Sequence, residues 1–181
     1  MHHSIRAYPL LFLFMFLVLV PAYAQDTPDV PDALPADVET VDGIMAAVYD
    51  VISGGQGVER DWDRFRSLFH PSAHLIPSGF RQDGSSFILF WDVETYISSA
   101  GANLVASGFF EKEIYRVEER FGGVTHIFST YESRRKAEDA EPFTRGINSF
   151  QLKHDGDRWW VVNIFWQGEN PNTQIPAKYG G

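Results

Sequence analysis

The sequence predicts an α+β domain: three N-terminal helices with a hairpin, packed on a strongly curved antiparallel sheet. Three observations predict it. Apolar residues recur at helical spacing only between Asp37 and Gly108, and four long extended runs follow, separated by Gly-containing turns. The chain is also 44% hydrophobic and 15% aromatic against 22% charged, a composition that builds a packed core and not a disordered chain. None of the 181 residues is cysteine, so a disulfide framework, a thiolate nucleophile and Cys-ligated zinc or iron–sulfur sites are excluded together. The formal charge of −9 argues against nucleic acid as a partner, because neutralising phosphates takes a basic patch.

Arg6 is the sole charge before Asp26 and precedes the apolar run Leu10–Val20, which leads into Pro21-Ala22-Tyr23-Ala24. Residues 1–24 therefore read as a secretory signal peptide cleaved after Ala24. A membrane anchor is the weaker reading, since spanning the hydrocarbon core takes ~20 apolar residues. Export to the periplasm or the cell exterior is expected, with no membrane contact once the signal is gone. The segment Gln25 to Ala36 holds three prolines and three aspartates and reads as a flexible leader. One domain over 37–168 and a tail over 169–181 complete the chain.

From Asp37, the residues Val38, Val41, Met45, Val48 and Ile52 form one face of an amphipathic helix that ends at Gly54-Gly55. A second helix fits Asp61 to Phe69, with Asp61 as cap and Trp62, Phe65, Leu68 and Phe69 on one face; Pro71 stops it. A hairpin follows, His74–Gln82 and Ser85–Phe90 about the turn Asp83-Gly84. The third helix begins at the cap Asp92 and carries Val93, Tyr96, Ile97, Ala100 and Leu104 towards Gly108. The extended runs are Phe109–Phe121, Val124–Arg135, Phe143–His154 and Arg158–Gln167. Strands this long accumulate twist and are bent by bulges, so the sheet must curve around the helices. The last run, Trp159 to Trp166, is apolar on both parities. One face packs on the helices, and a second copy covering the other predicts a homodimer through the sheet.

Several local phrases point the same way: Trp62-x-x-Phe65-x-x-Leu68-Phe69-His70-Pro71-x-Ala73, Phe121-Gly122-x-Val124 running into Ser129-Thr130-Tyr131-Glu132, Arg145-Gly146-x-Asn148-Ser149, and Asp155-Gly156-x-Arg158-Trp159. Together with the element order they resemble the nuclear transport factor 2-like superfamily, a cystatin-like α+β cone, and in particular its exported bacterial branch, whose members mostly lack an assigned activity. The resemblance covers roughly Asp37 to Gln167. It implies a pocket between the helices and the concave sheet face, and it implies no single chemistry, because this fold hosts isomerases, dehydratases, cyclases, hydrolases and interaction modules.

Enzymes of this fold place an Asp or His of shifted pKa in an apolar pocket beside a Tyr. No acid here matches the catalytic aspartate of the ketosteroid isomerases or small polyketide cyclases: Asp92 caps a helix and Asp83 sits in a turn. No scytalone dehydratase motif transfers either. Of the histidines, His70 and His74 have H-x-x-x-H spacing, but Pro71 breaks the helix that would make it a metal pair, so no metal or cofactor is expected. His154 abuts a turn, and His126 alternates with Phe128 and Thr130 on the parity opposite Ile127, Ser129 and Tyr131; either parity can face the helices. The residues best placed for a pocket are His74 and Tyr131 as acid–base candidates, Arg145 and Asn148 as ligand contacts, and Trp91 and Trp166 as walls. Each also has an ordinary structural reading. Tyr131 can cap the core, Arg145 can pair with Glu132 across the strands, Asn148 can satisfy a bulge, and the tryptophans can be core or interface.

The reading these residues favour is an exported domain that binds a small, largely apolar molecule. An acid–base enzyme of the same fold and a protein-interaction module are the alternatives.

Overall fold

The structure is a computed structural model that describes residues 30–181. The predicted signal peptide and the first residues of the leader lie outside the described residues.

Helix α1 (Pro35–Val38) is a single turn and α2 (Val41–Ile52) follows it, so the first predicted helix is two pieces. The break falls at Thr40, which is extended and whose hydroxyl accepts the Gly43 N–H at 2.9 Å, starting α2 afresh. The last residues of the predicted leader are thereby ordered. Asp37 in α1 is buried and takes two hydrogen bonds from the Arg64 guanidinium, at 2.7 and 3.0 Å. Helix α3 (Trp62–Leu68) is capped as expected by Asp61, which accepts the Arg64 N–H at 2.9 Å.

Strand β1 (Phe69–Phe80) starts directly after α3, earlier than the predicted His74, and β2 (Ser86–Ile88) is shorter than predicted. The third helix is capped by Asp92, accepting the Thr95 N–H at 2.7 Å, and runs as α4 (Val93–Tyr96), a wide π turn (Ile97–Gly101) and α5 (Ala102–Ser107). Strands β3 (Phe110–Phe121), β4 (Val124–Arg134), β5 (Thr144–His154) and β6 (Trp159–Gly168) form the long meander. The six strands make one sheet in the order β2-β1-β6-β5-β4-β3. It is antiparallel except between β1 and β6, which run parallel. The predicted hairpin is not a separate unit: β1 adds to the free edge of β6 and extends the sheet.

Two bulges control which side chains face the helices. In β3, Glu113 pairs with Tyr131 and Tyr115 with Thr130, leaving Ile114 as the extra residue. In β6, Val161 pairs with Leu152 and Asn163 with Gln151, leaving Val162 extra. Each extra residue shifts the alternation beyond it by one place. On the concave side Phe65, Leu68, Ile127, Phe150 and Val161 are almost wholly inaccessible and pack with Ile44 and Met45 of α2. Burying each such side chain contributes about 1.5–3 kcal/mol.

The segment 169–181 lies along the convex face. Ile175 is buried there, the Tyr179 ring meets Phe128 edge-on at 4.9 Å, Thr130 Oγ1 donates to the Tyr179 carbonyl at 2.7 Å, and Arg145 donates to the Gly180 carbonyl at 3.2 Å. Among the described residues no helix is long and apolar enough to cross a membrane.

Candidate functional site

The concave face, α2, α3 and the α4–α5 region enclose a cavity of about 290 Å³. Half of its lining residues are aromatic: Tyr49, Phe65, Trp91, Tyr96, Phe109, Tyr131, Phe150 and Trp166. Val48, Ile52, Leu75, Pro77, Ala100 and Ile164 complete the apolar wall, and Asn148 and Glu111 are the remaining polar members.

Each polar side chain is placed by its strand. Glu111 in β3 pairs with Ser133, and Tyr131 in β4 pairs with Gly146 of β5. Gly146 is required there: a Cβ on it would stand 2.6 Å from Tyr131 Cζ and 2.6 Å from the Gln167 carbonyl oxygen, so only glycine lets the phenol lie against the sheet. Glu111 accepts from Ser133 Oγ at 2.8 Å and from Asn148 Nδ2 at 3.4 Å. Asn148 Nδ2 also donates to the Tyr49 hydroxyl at 3.1 Å, which is bonded in turn to Ser129 Oγ at 2.7 Å. Beyond it, Ser129 donates to Glu113, and Glu113 pairs with Arg116 at 2.8 Å, which reaches the exposed Asp42 at 2.8 Å. A polar chain thus runs from the cavity carboxyl to the surface.

Removal from water pushes the Glu111 carboxyl up to about 7, against the opposing hydrogen bonds from Ser133 and Asn148. Burial, then the nearby Glu111 charge, hold the phenols of Tyr49, Tyr96 and Tyr131 well above their usual range. An acid balanced between its two forms near neutral pH can give or take a proton, and the Tyr96 and Tyr131 phenols can donate hydrogen bonds to a ligand oxygen.

Four of the six residues singled out from the sequence line this cavity: Trp91, Tyr131, Asn148 and Trp166. Trp91 is held by two backbone hydrogen bonds to Leu75, at 2.8 and 3.0 Å, and Trp166 is turned inward by the bulge at Val162. Arg145 and His74 lie elsewhere. Arg145 is on the convex face, where it pairs with Glu169 at 3.5 Å, not with Glu132; Glu132 is held by Lys112 and Arg134. His74 is exposed, 6.4 Å from the Phe90 ring and outside the cavity. Glu111, Tyr49 and Tyr96 were not anticipated as site residues. The signal for Tyr49 was a phenol beside the apolar stripe of α2; the signal for Glu111 is hidden by the bulge at Ile114.

A second cavity, about 250 Å³, lies on the other side of the sheet between Phe128, Ile147, Phe165 and the segment Thr173 to Pro176. Its charged lining residue is Glu169, which pairs with Arg145 at 3.5 Å.

No protein-family model matches the chain, and no curated protein is significantly similar to it. Solved structures are. A Nostoc punctiforme protein of unknown function with a cystatin-like fold superposes with a TM-score of 0.52 at 12% identity, over 70% of this chain and 86% of that one. An uncharacterised Caulobacter vibrioides protein with a cystatin-like fold gives 0.52 at 9% identity, over 74% and 90%. The fold is the cystatin-like α+β cone. A nuclear transport factor 2-like protein of unknown function from Methylobacillus flagellatus is also similar, with a TM-score of 0.47 at 16% identity over 72% and 95%. These likenesses concern the cone alone; what it does is decided by the residues inside it. Among the described residues, no three His, Asp or Glu side chains are grouped to hold a metal ion.

Proposed function

We propose that the chain is an exported nuclear transport factor 2-like domain that binds a small, largely apolar molecule in the concave cavity. The observation that carries this reading is a cavity with aromatic walls and one polar end, made by Glu111, Asn148 and the Tyr49 and Tyr131 phenols. Pockets for small ligands have this design, apolar area for affinity and a few placed polar groups for orientation. A homodimer through the convex face belongs to the same proposal. Val162 and Phe165 there are 37% and 41% exposed, while Trp160 is covered by the Arg158 guanidinium at 3.7 Å. Native mass spectrometry of the chain purified from an exporting host tests both parts. A dimer carrying a reproducible extra mass supports them; a bare monomer that takes up no apolar probe refutes them.

The placement of Glu111 favours a second reading, an acid–base enzyme with Glu111 as the proton carrier and Tyr131 as hydrogen-bond donor to a developing oxyanion. Under it, Glu111→Gln and Tyr131→Phe each abolish a turnover while the variant still binds the substrate. Retained turnover in Glu111→Gln refutes it.

A further inference from the structure

Among the described residues, Glu111 is the sole charged residue lining the concave cavity, and no lysine, arginine or histidine joins it. The cations nearest in sequence and on neighbouring strands are engaged elsewhere. Lys112 and Arg134 pair with Glu132, at 2.9 and 2.5 Å, and Arg116 pairs with Glu113 and Asp42. From the elements packed around it, Glu111 meets only neutral groups: the Tyr49 phenol of α2, Tyr96 of α4, Tyr131 and Ser133 of β4, and Asn148 of β5. Each carboxyl oxygen accepts one protein hydrogen bond, and an ionised carboxylate has about four acceptor positions, so capacity is left for a ligand. A buried carboxylate without a countercharge is strongly disfavoured, and a ligand that brings the countercharge relieves that penalty. The walls suit the same ligand, because the faces of Trp and Tyr rings attract cations and Trp91, Trp166, Tyr96 and Tyr131 all border the cavity. An anionic ligand would meet like charge, and the whole chain, at −9, repels it further.

We infer that the ligand of this cavity is an organic ammonium ion, a protonated amine whose N–H groups meet Glu111 and whose apolar body lies against the aromatic walls. The inference rests on the small-molecule reading above and names the ligand's class. At about 290 Å³ the cavity has room for about ten water-sized groups, which fits a compact monocyclic or short-chain amine.

The experiment is isothermal titration calorimetry of the purified chain with three matched probes: cyclohexylmethylamine, cyclohexylmethanol and cyclohexanecarboxylate. The amine binds at least about tenfold more tightly than the alcohol, and the carboxylate does not bind. Because the Glu111 carboxyl ionises at about 7, amine affinity falls about tenfold from pH 8 to pH 6 and about tenfold more by pH 5. At pH 6.5 binding also releases a proton, seen as an enthalpy that differs between phosphate and the zwitterionic buffer ACES. In Glu111→Gln, whose fold is checked by circular dichroism, the preference for the amine and its pH dependence both vanish. If the alcohol binds as tightly as the amine at every pH, the ammonium inference fails while the apolar-ligand reading stands. If no probe binds up to about 10 mM, both fail.

Discussion

Replacing Glu111 by glutamine removes a group that takes up its proton more readily in the folded chain than in the unfolded one. Its carboxyl moves from an ordinary 4.5 to about 7 on folding, chiefly because the cavity takes it out of water. The stability that this protonated acid contributes is fully present below 4.5 and is lost as the pH rises through 7. At about 1.4 kcal/mol per pH unit, the loss amounts to at most about 3 kcal/mol. Glutamine keeps the shape and can still meet Ser133 and Asn148, yet it never ionises. The variant should therefore gain on the natural chain by up to about 3 kcal/mol between pH 4.5 and pH 8.5, with a constant offset below that window. Urea denaturation at fixed protein concentration, at four pH values from 4.5 to 8.5, reads this difference directly. Acids held low by hydrogen bonds, such as Glu94 and Asp155, are common to both proteins and cancel. Stability curves that stay parallel to within about 0.5 kcal/mol across the window refute the withdrawal of Glu111 from bulk water.

Three more outcomes are expected. Gly146→Ala pushes a methyl against the Tyr131 ring and the Gln167 carbonyl, and should cost about 1–3 kcal/mol in thermal unfolding; a cost near zero would mean that Tyr131 readily leaves the cavity wall. Arg60 is buried and donates to the carbonyls of Ile52, Gly54, Val58 and Leu104, closing the ends of α2 and α5. Arg60→Met should cost at least about 2 kcal/mol and speed amide exchange around residues 52–58, since these are charge-assisted bonds; unchanged exchange there would refute that role. A chain stopped after Gly168 loses Ile175 and Tyr179 from the convex face, and should self-associate at least about tenfold more tightly in sedimentation; weaker association would show that 169–181 belongs to the interface.

Most of the architecture was legible because its signals are local. The caps Asp61 and Asp92 act as expected, and β3 to β6 end within about two residues of their sequence limits. Long-range pairing was less so. The parallel β1–β6 pair joins residues some ninety positions apart, as in Leu75 with Ile164, and no turn announces it. The site was half legible for a geometric reason. A hairpin closed at Gly122-Gly123 without a bulge would pair Tyr131 with Ile114 and Ser133 with Lys112, turning Glu111 outward with the solvated acids of an edge strand. The extra residue at Ile114 reverses this and brings Glu111 and Glu113 in. Val162 does the same for β6, replacing Phe165 with Trp166 at the cavity wall. Bulges follow from sheet curvature and cross-strand packing, which single residue types do not encode. Arg145 was misplaced for the simpler reason that its parity on β5 is opposite to that of Asn148 and Phe150.

The segment 169–181 makes the convex face an occupied surface. Its hydrogen bonds to Thr130 and Arg145 and its ring contact with Phe128 are intramolecular, so they operate at the effective concentration of a short tether, of millimolar order. Any second copy or other protein that docks on these same side chains competes with that internal occupant. Its apparent dissociation constant is raised by the ratio of covered to uncovered molecules, and whatever loosens residues 169–181 strengthens assembly without altering a single residue of the sheet.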